Sequence, residues 1–217
     1  MPSILRRRDP AGRRSGDERG QGLVEFSLVL PIFMLLLLVM MEFGYAFNHK
    51  LTVGYASREG ARTGASLASG GATGCPDNAH LAWKIVDQQI IGAAQRILKS
   101  PGSDVRMADV TSIRIYKASS TGAQVGSSVD VWTYSPGGGP DLDPGTGKDI
   151  LDFVQGSVGW PACSRKNGTN PDSIGVQIVY TYHLETPLGA LVGFMGGRQG
   201  ATMSMNDQTV MSLNPTN

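Results

Sequence analysis

The stretch LVEFSLVLPIFMLLLLVMMEF, residues 23–43, decides how the rest of the chain is read. Its uncharged core runs from Phe26 to Met41, sixteen residues, with Glu25 on one side and Glu42 on the other. A bilayer core about 30 Å thick needs roughly 20 helical residues. Adding Leu23 and Val24 at the start and Phe43 to Phe47 at the end reaches that length, which places the two glutamates at the two edges of the span. A secretory signal has a shorter apolar region closed by small residues, whereas this one closes with Met40, Met41, Glu42 and Phe43. Burying a leucine-rich run with no polar face in a soluble core would take more surrounding protein than 217 residues supply. The run predicts a transmembrane helix.

Upstream, Arg6, Arg7, Arg8, Arg13, Arg14 and Arg19 outnumber Asp9, Asp17 and Glu18, although the whole chain carries a net charge of only +1. The positive-inside rule then puts residues 1 to about 22 in the cytoplasm and everything after Phe47 outside, a single pass with the N-terminus in. The same arginines sit in a tail containing proline and glycine and are not spread over a folded face. Nucleic acid is therefore not an expected partner, because such binding needs a surface that neutralises a run of phosphates.

Downstream, a helical pattern persists to Ala68. Ala56, Gly60, Gly64 and Ala68 recur every fourth residue and lay small side chains in one strip, which lets another backbone approach closely. Glycine costs about 1 kcal/mol per helical position relative to alanine, so the strip calls for a packing partner. Unbroken from Gln21 to Ala68, this helix would measure about 72 Å. Turn formers fill residues 69 to 78. Asn78 then offers an N-cap to a second, amphipathic helix with Trp83, Val86, Ile90, Ala94 and Ile97 on one face and Lys84, Asp87, Gln88 and Arg96 elsewhere. Alternating patterns predict strands over Val110–Ala118, Val129–Tyr134, Gly175–His183 and Gln199–Met211. The Gly-, Pro- and Asp-rich segment from Ser135 to Ser173 reads as a long loop, mobile or contacting a partner. The expected class is α+β: a long N-terminal helix, transmembrane in its first half and external in its second, a second helix, and an antiparallel sheet of about four strands. The expected domains are a basic leader (1–20), the transmembrane and stalk helix (21–68) and an extracytoplasmic domain (69–217).

Catalytic constellations are not found in the pattern, and no cofactor or metal site is expected. PGTGKD at residues 144–149 misses a phosphate loop at two fixed positions, Leu142 and Asp149. Asp141, Asp143 and Gly145 resemble the start of a calcium loop, with glycine at the third ligand position and no glutamate at the required distance. His49, His80 and His183 lie out of helical reach of one another, and no serine sits in a nucleophile-elbow frame. Cys75 and Cys163, the only cysteines, fall on the side expected to be oxidising, where a disulfide is their natural state.

The most specific motif is the junction ahead of the apolar run. Gly20 precedes Gln21, and counting Gln21 as +1 puts Glu25 at +5 and the aromatic Phe26 at +6. Further on come Leu30-Pro31, Glu42-Phe43-Gly44, Arg58-Glu59-Gly60-Ala61-Arg62, and the C-terminal stretches VQIVYTYHLETPLG and ATMSMNDQTVM. Together these resemble the TadE-like family, minor pilins or pseudopilins of the tight-adherence (Flp) type IV pilus. The resemblance implies cleavage by a membrane prepilin peptidase between Gly20 and Gln21, after which Glu25 and Phe26 serve subunit assembly. It implies other pilins or pseudopilins and an inner-membrane assembly platform as partners, and no enzymatic activity. A carboxylate near hydrocarbon costs at least about 2.5 kcal/mol unless neutralised, and the resemblance implies that Glu25 meets the new amine of a neighbouring subunit. The alternative for Glu25 is a place among the headgroups. Glu42, at the opposite edge, is expected to be solvated. The alternative for the whole chain is a membrane-anchored extracytoplasmic binding module.

Overall fold

A computed structural model describes residues 18–67, 84–147, 149–168, 170–196 and 202–213. The chain divides into two compact units, with the boundary between Met41 and Glu42. The first unit is the apolar part of helix α1, whose full extent is Glu18–Ser66. None of residues 20–41 is buried, and Pro31 lies inside the helix, as is commoner in bilayer helices than in soluble ones. A helix that is apolar on every side and covered on none calls for a non-aqueous solvent. Among the described residues it is the one helix long and apolar enough to cross a membrane.

The second unit combines the remainder of α1 with α2 (Lys84–Leu98), β1 (Val110–Ala118), β2 (Gln124–Tyr134), β3 (Phe153–Val158), β4 (Ser173–His183), α3 (Leu188–Gly196) and β5 (Thr202–Ser212). The sheet has the order β3-β2-β1-β4-β5, and every neighbouring pair is antiparallel. The α+β class is thus as expected, with one strand more than the sequence pattern indicates. Strands β1 and β4 occupy the middle, and their registers align Ile113 with Ile178 and Ile115 with Val176. Those four side chains are fully buried on the face that α1 and α2 cover, together with Trp132, Ile174 and Tyr180. The other face is polar: Arg114 donates to Gln177 and Gln124, and the Tyr116 hydroxyl donates to Gln208 and to the carbonyl of Gly122. The Tyr116 ring lies flat against Gly175, where an added Cβ would come within 2.2 Å of it. This glycine is therefore fixed by close approach, in a strand position where it would otherwise be a weakness.

Three expectations are corrected here. Ser135–Ser173 is not a strandless loop: it contains β3, and Leu151, Phe153, Trp160, Ala162, Cys163 and Arg165 within it are buried. Gln95 of α2 clasps this segment, donating to the Ile150 carbonyl and accepting from the Asp152 amide. Asp87 does not face away from the core; it is fully buried, because Arg165 from that same segment meets it there. Helix α3 is new, since nine uncharged residues with three glycines among them carry no clear period. Asn78 and Trp83 of the expected second helix, Gln199 of the expected last strand and Ala68 of the small-residue strip lie outside the described residues.

Candidate functional site

Gly20, Gln21, Glu25 and Phe26 all lie in the first turns of α1 and are exposed. A side chain placed on Gly20 would meet nothing within 4 Å. Gln21 and Glu25 are four residues apart, so a helix carries them on one side. The junction residues therefore share one accessible helical end, with the carboxylate one turn beyond the backbone of Gln21.

Past Met41 the helix changes character. Glu42, His49, Val53, Ala56, Ser57, Gly60, Ala61, Gly64 and Ala65 are buried, in the three- and four-residue steps of a single face. Gly60 and Gly64 make that face shallow enough for α2 and β4 to close upon it. A Cβ on Gly64 would stand 2.6 Å from the Ile174 Cδ1 and 3.0 Å from the Ile90 Cδ1, and one on Gly60 would stand 3.2 Å from the Val176 Cγ1. The partner of this strip within the described residues is the chain's own sheet and second helix. Arg58-Glu59-Gly60-Ala61-Arg62 divides accordingly: the small pair is buried, while Arg62 reaches back along the exposed side to form a two-pronged contact with Glu59 at 2.9 and 2.6 Å.

Glu42 contradicts its expected role as a solvated residue. Its carboxylate is buried and accepts from the Tyr182 hydroxyl, the amides of Glu185 (3.1 Å) and Thr186 (2.9 Å), and the Thr186 hydroxyl (2.6 Å). Ionised carboxylates buried in proteins need such a donor set, which replaces the water that burial removes. The clamp joins the part of α1 that follows Met41 to β4 and the turn between β4 and α3.

A second buried ionic cluster lies at the far side of α2. The Nη2 of Arg165 donates to Asp87 at 2.6 Å, Asp130 at 3.1 Å and the Trp160 carbonyl at 3.1 Å, and the guanidinium carbon sits 4.7 Å from the Trp160 ring centre. Asp130 also accepts from the amides of Gly159 and Trp160, both at 2.8 Å. Burial pushes the Asp87 carboxyl up to about 7, against the pull of the Arg165 charge and with the help of the nearby Asp130. Local pattern could not reveal either cluster, because the partners are tens of residues apart; the visible signal was a base, Arg165, standing in a segment expected to be a loop.

Asp141 and Asp143 serve the backbone of their own turn: Asp141 accepts from the Asp143 amide, and Asp143 from the Thr146 hydroxyl. Cys163 is buried in the short 3-10 turn after β3, and no cysteine among the described residues is free; Cys75 lies outside them.

An N-terminal helix fit to span a bilayer, continued into a helix-backed antiparallel sheet, defines an α+β protein with a membrane anchor. Residues 20–62 match the family model TadE, described as TadE-like protein. No individual characterised protein and no solved structure matches the chain. The matched span takes in the junction, the apolar run, Glu42 and the Arg-Glu-Gly-Ala-Arg element, and leaves the sheet outside it.

Proposed function

We propose that this chain is a minor pilin or pseudopilin of a tight-adherence pilus, held in the inner membrane with its N-terminus in the cytoplasm and its α+β domain outside. The observation that carries the reading is the family match over residues 20–62, which begins at the glycine of the junction. A prepilin peptidase cuts between Gly20 and Gln21, freeing an amine that pairs with Glu25 of a neighbouring pilin, while Phe26 and the apolar residues after it line the subunit contact. The assembly platform and other pilins are the partners. Exposure of Glu25 and open space around Gly20 support this, since a peptidase and a neighbour both need access.

The test is the mature N-terminus, read by mass spectrometry on protein from its native membrane. Gln21 is expected at the start, and Gly20→Trp is expected to leave an uncut precursor without disturbing the fold. Glu25→Gln is expected to insert and be cut normally and to abolish piliation. A native N-terminus at Met1 would overturn the pilin reading and favour an anchored binding module.

The proposal extends to a disulfide between Cys75 and Cys163, closing a loop of about 90 residues and contributing on the order of 4 to 5 kcal/mol in the chain-entropy model. Equal thiol labelling with and without reductant would refute it.

A further inference from the structure

Helix α3 reads LGALVGFMG, nine residues without a charge or a side-chain hydrogen-bonding group. Leu191 and Val192 are exposed and Phe194 is 88% exposed. Contiguous apolar surface of this kind marks a place where something other than water belongs.

What covers it follows from how the helix is tethered. Three and two residues before α3, the amides of Glu185 and Thr186 donate to the Glu42 carboxylate, and the Leu188 amide donates in turn to the Thr186 hydroxyl at 3.3 Å. Glu42 directly follows Met41, the last residue of the apolar run. The chain therefore enters α3 at the point along α1 where the apolar run ends. Farther along α1 the surroundings turn polar: Asn48, about 9 Å beyond Glu42 by helical rise, donates to Asp104 at 2.7 Å. Between these levels Phe43, Tyr45 and Phe47 are exposed, and tyrosine is one of the residue types that gather where hydrocarbon gives way to headgroups.

We propose that α3 is an interfacial helix, bedded in the outer leaflet of the membrane that holds the apolar run, with Leu191, Val192 and Phe194 facing lipid and Glu42 holding it at that depth. Exposed apolar patches mark membrane contacts as well as protein contacts, and an uncharged helix tethered beside the end of the apolar run has acyl chains as its apolar medium. The inference rests on the membrane reading of α1 and adds a second point of lipid contact.

The full-length chain, with its native cysteines oxidised, is reconstituted into phosphatidylcholine and phosphatidylglycerol vesicles. An environment-sensitive dye is attached at Phe194→Cys, at Ser120→Cys in the exposed β1–β2 turn, or at Leu36→Cys within the apolar run. At position 194 a blue-shifted emission is expected, with loss of most of the iodide quenching seen at position 120 and with strong quenching by shallow nitroxide lipids. Iodide access at 194 equal to that at 120, with position 36 still quenched by lipid, overturns the proposal while leaving the membrane reading intact. Shielding of 194 from both iodide and nitroxide lipid also overturns it, since a second copy of the chain would then be the cover. Absence of lipid quenching at position 36 removes the membrane reading itself.

Discussion

The two parts of α1 invert the usual relation between hydropathy and burial. Between residues 20 and 41 no residue is buried, although leucine, valine, methionine and phenylalanine dominate. Between Glu42 and Ala65 the helix carries glycine, serine, histidine and charge, yet nine of its residues are buried. The difference teaches which solvent each part is built for. Large flexible side chains fill an irregular fluid such as lipid, and small ones admit a closely fitted protein neighbour.

The two glutamates flanking the apolar run break that comparison most sharply. Glu42→Ala leaves four donors without their acceptor, each unmet buried donor costing about 1–3 kcal/mol. The α+β domain of the full-length protein in detergent is expected to lose several kcal/mol, seen as a large drop in its melting temperature, while Glu25→Gln leaves that melting unchanged. Equal melting of Glu42→Ala and wild type would mean that the clamp contributes nothing. A smaller effect is expected from Gly64→Leu, which drives a branched side chain toward Ile174 and Ile90, for about 1–3 kcal/mol of overpacking. Leu36→Ala, the opposite change in the apolar part, is expected to spare the domain's stability. Limited proteolysis of the two variants side by side would read the difference, and equal protection would contradict it.

A third expected effect confines pH sensitivity to the part of the chain after Met41. The carboxyl of Asp87 sits above its usual value of 3.8, at about 7, so its contribution is fully present below pH 4 and is lost as pH rises toward 7. Over that window Asp87→Asn is expected to gain on wild type by up to a few kcal/mol. Denaturant midpoints of both proteins across pH 4 to 8 measure this, and a constant gap between them would show that Asp87 does not titrate there.

Much of the fold could be read from local pattern. Strand β1 is found over Val110–Ala118 as predicted, and β2 and β4 begin five and two residues earlier than their predicted starts at Val129 and Gly175. Strand β3 escaped because only Phe153 of its six residues is buried, so its alternation is weak amid glycines and prolines. The roles of Glu42, Asp87 and Arg165 escaped for a different reason. Each depends on partners far away in sequence, and an isolated charge looks the same in a solvated loop as beside a buried ion. The small strip was legible as a packing surface from its four-residue spacing, but nothing in that spacing tells a neighbouring subunit from the chain's own sheet.

The span of the Glu42 clamp also sets a timetable. Its two sides are 140 residues apart in sequence, and chains are synthesised at about 5–20 residues per second. If the chain is threaded outward from its N-terminus, on the order of 7 to 30 seconds separate the arrival of Glu42 at the outer surface from that of Tyr182. For all of that interval the grooved side of α1 and the Ile90 side of α2 can meet each other but lack β4, which closes on both. The domain thus acquires its core in one late step. Nascent chains stalled before residue 173 are expected to be digested by added protease, and chains stalled after residue 213 to resist it. Protection appearing before β4 has emerged would show that the early segments find another cover.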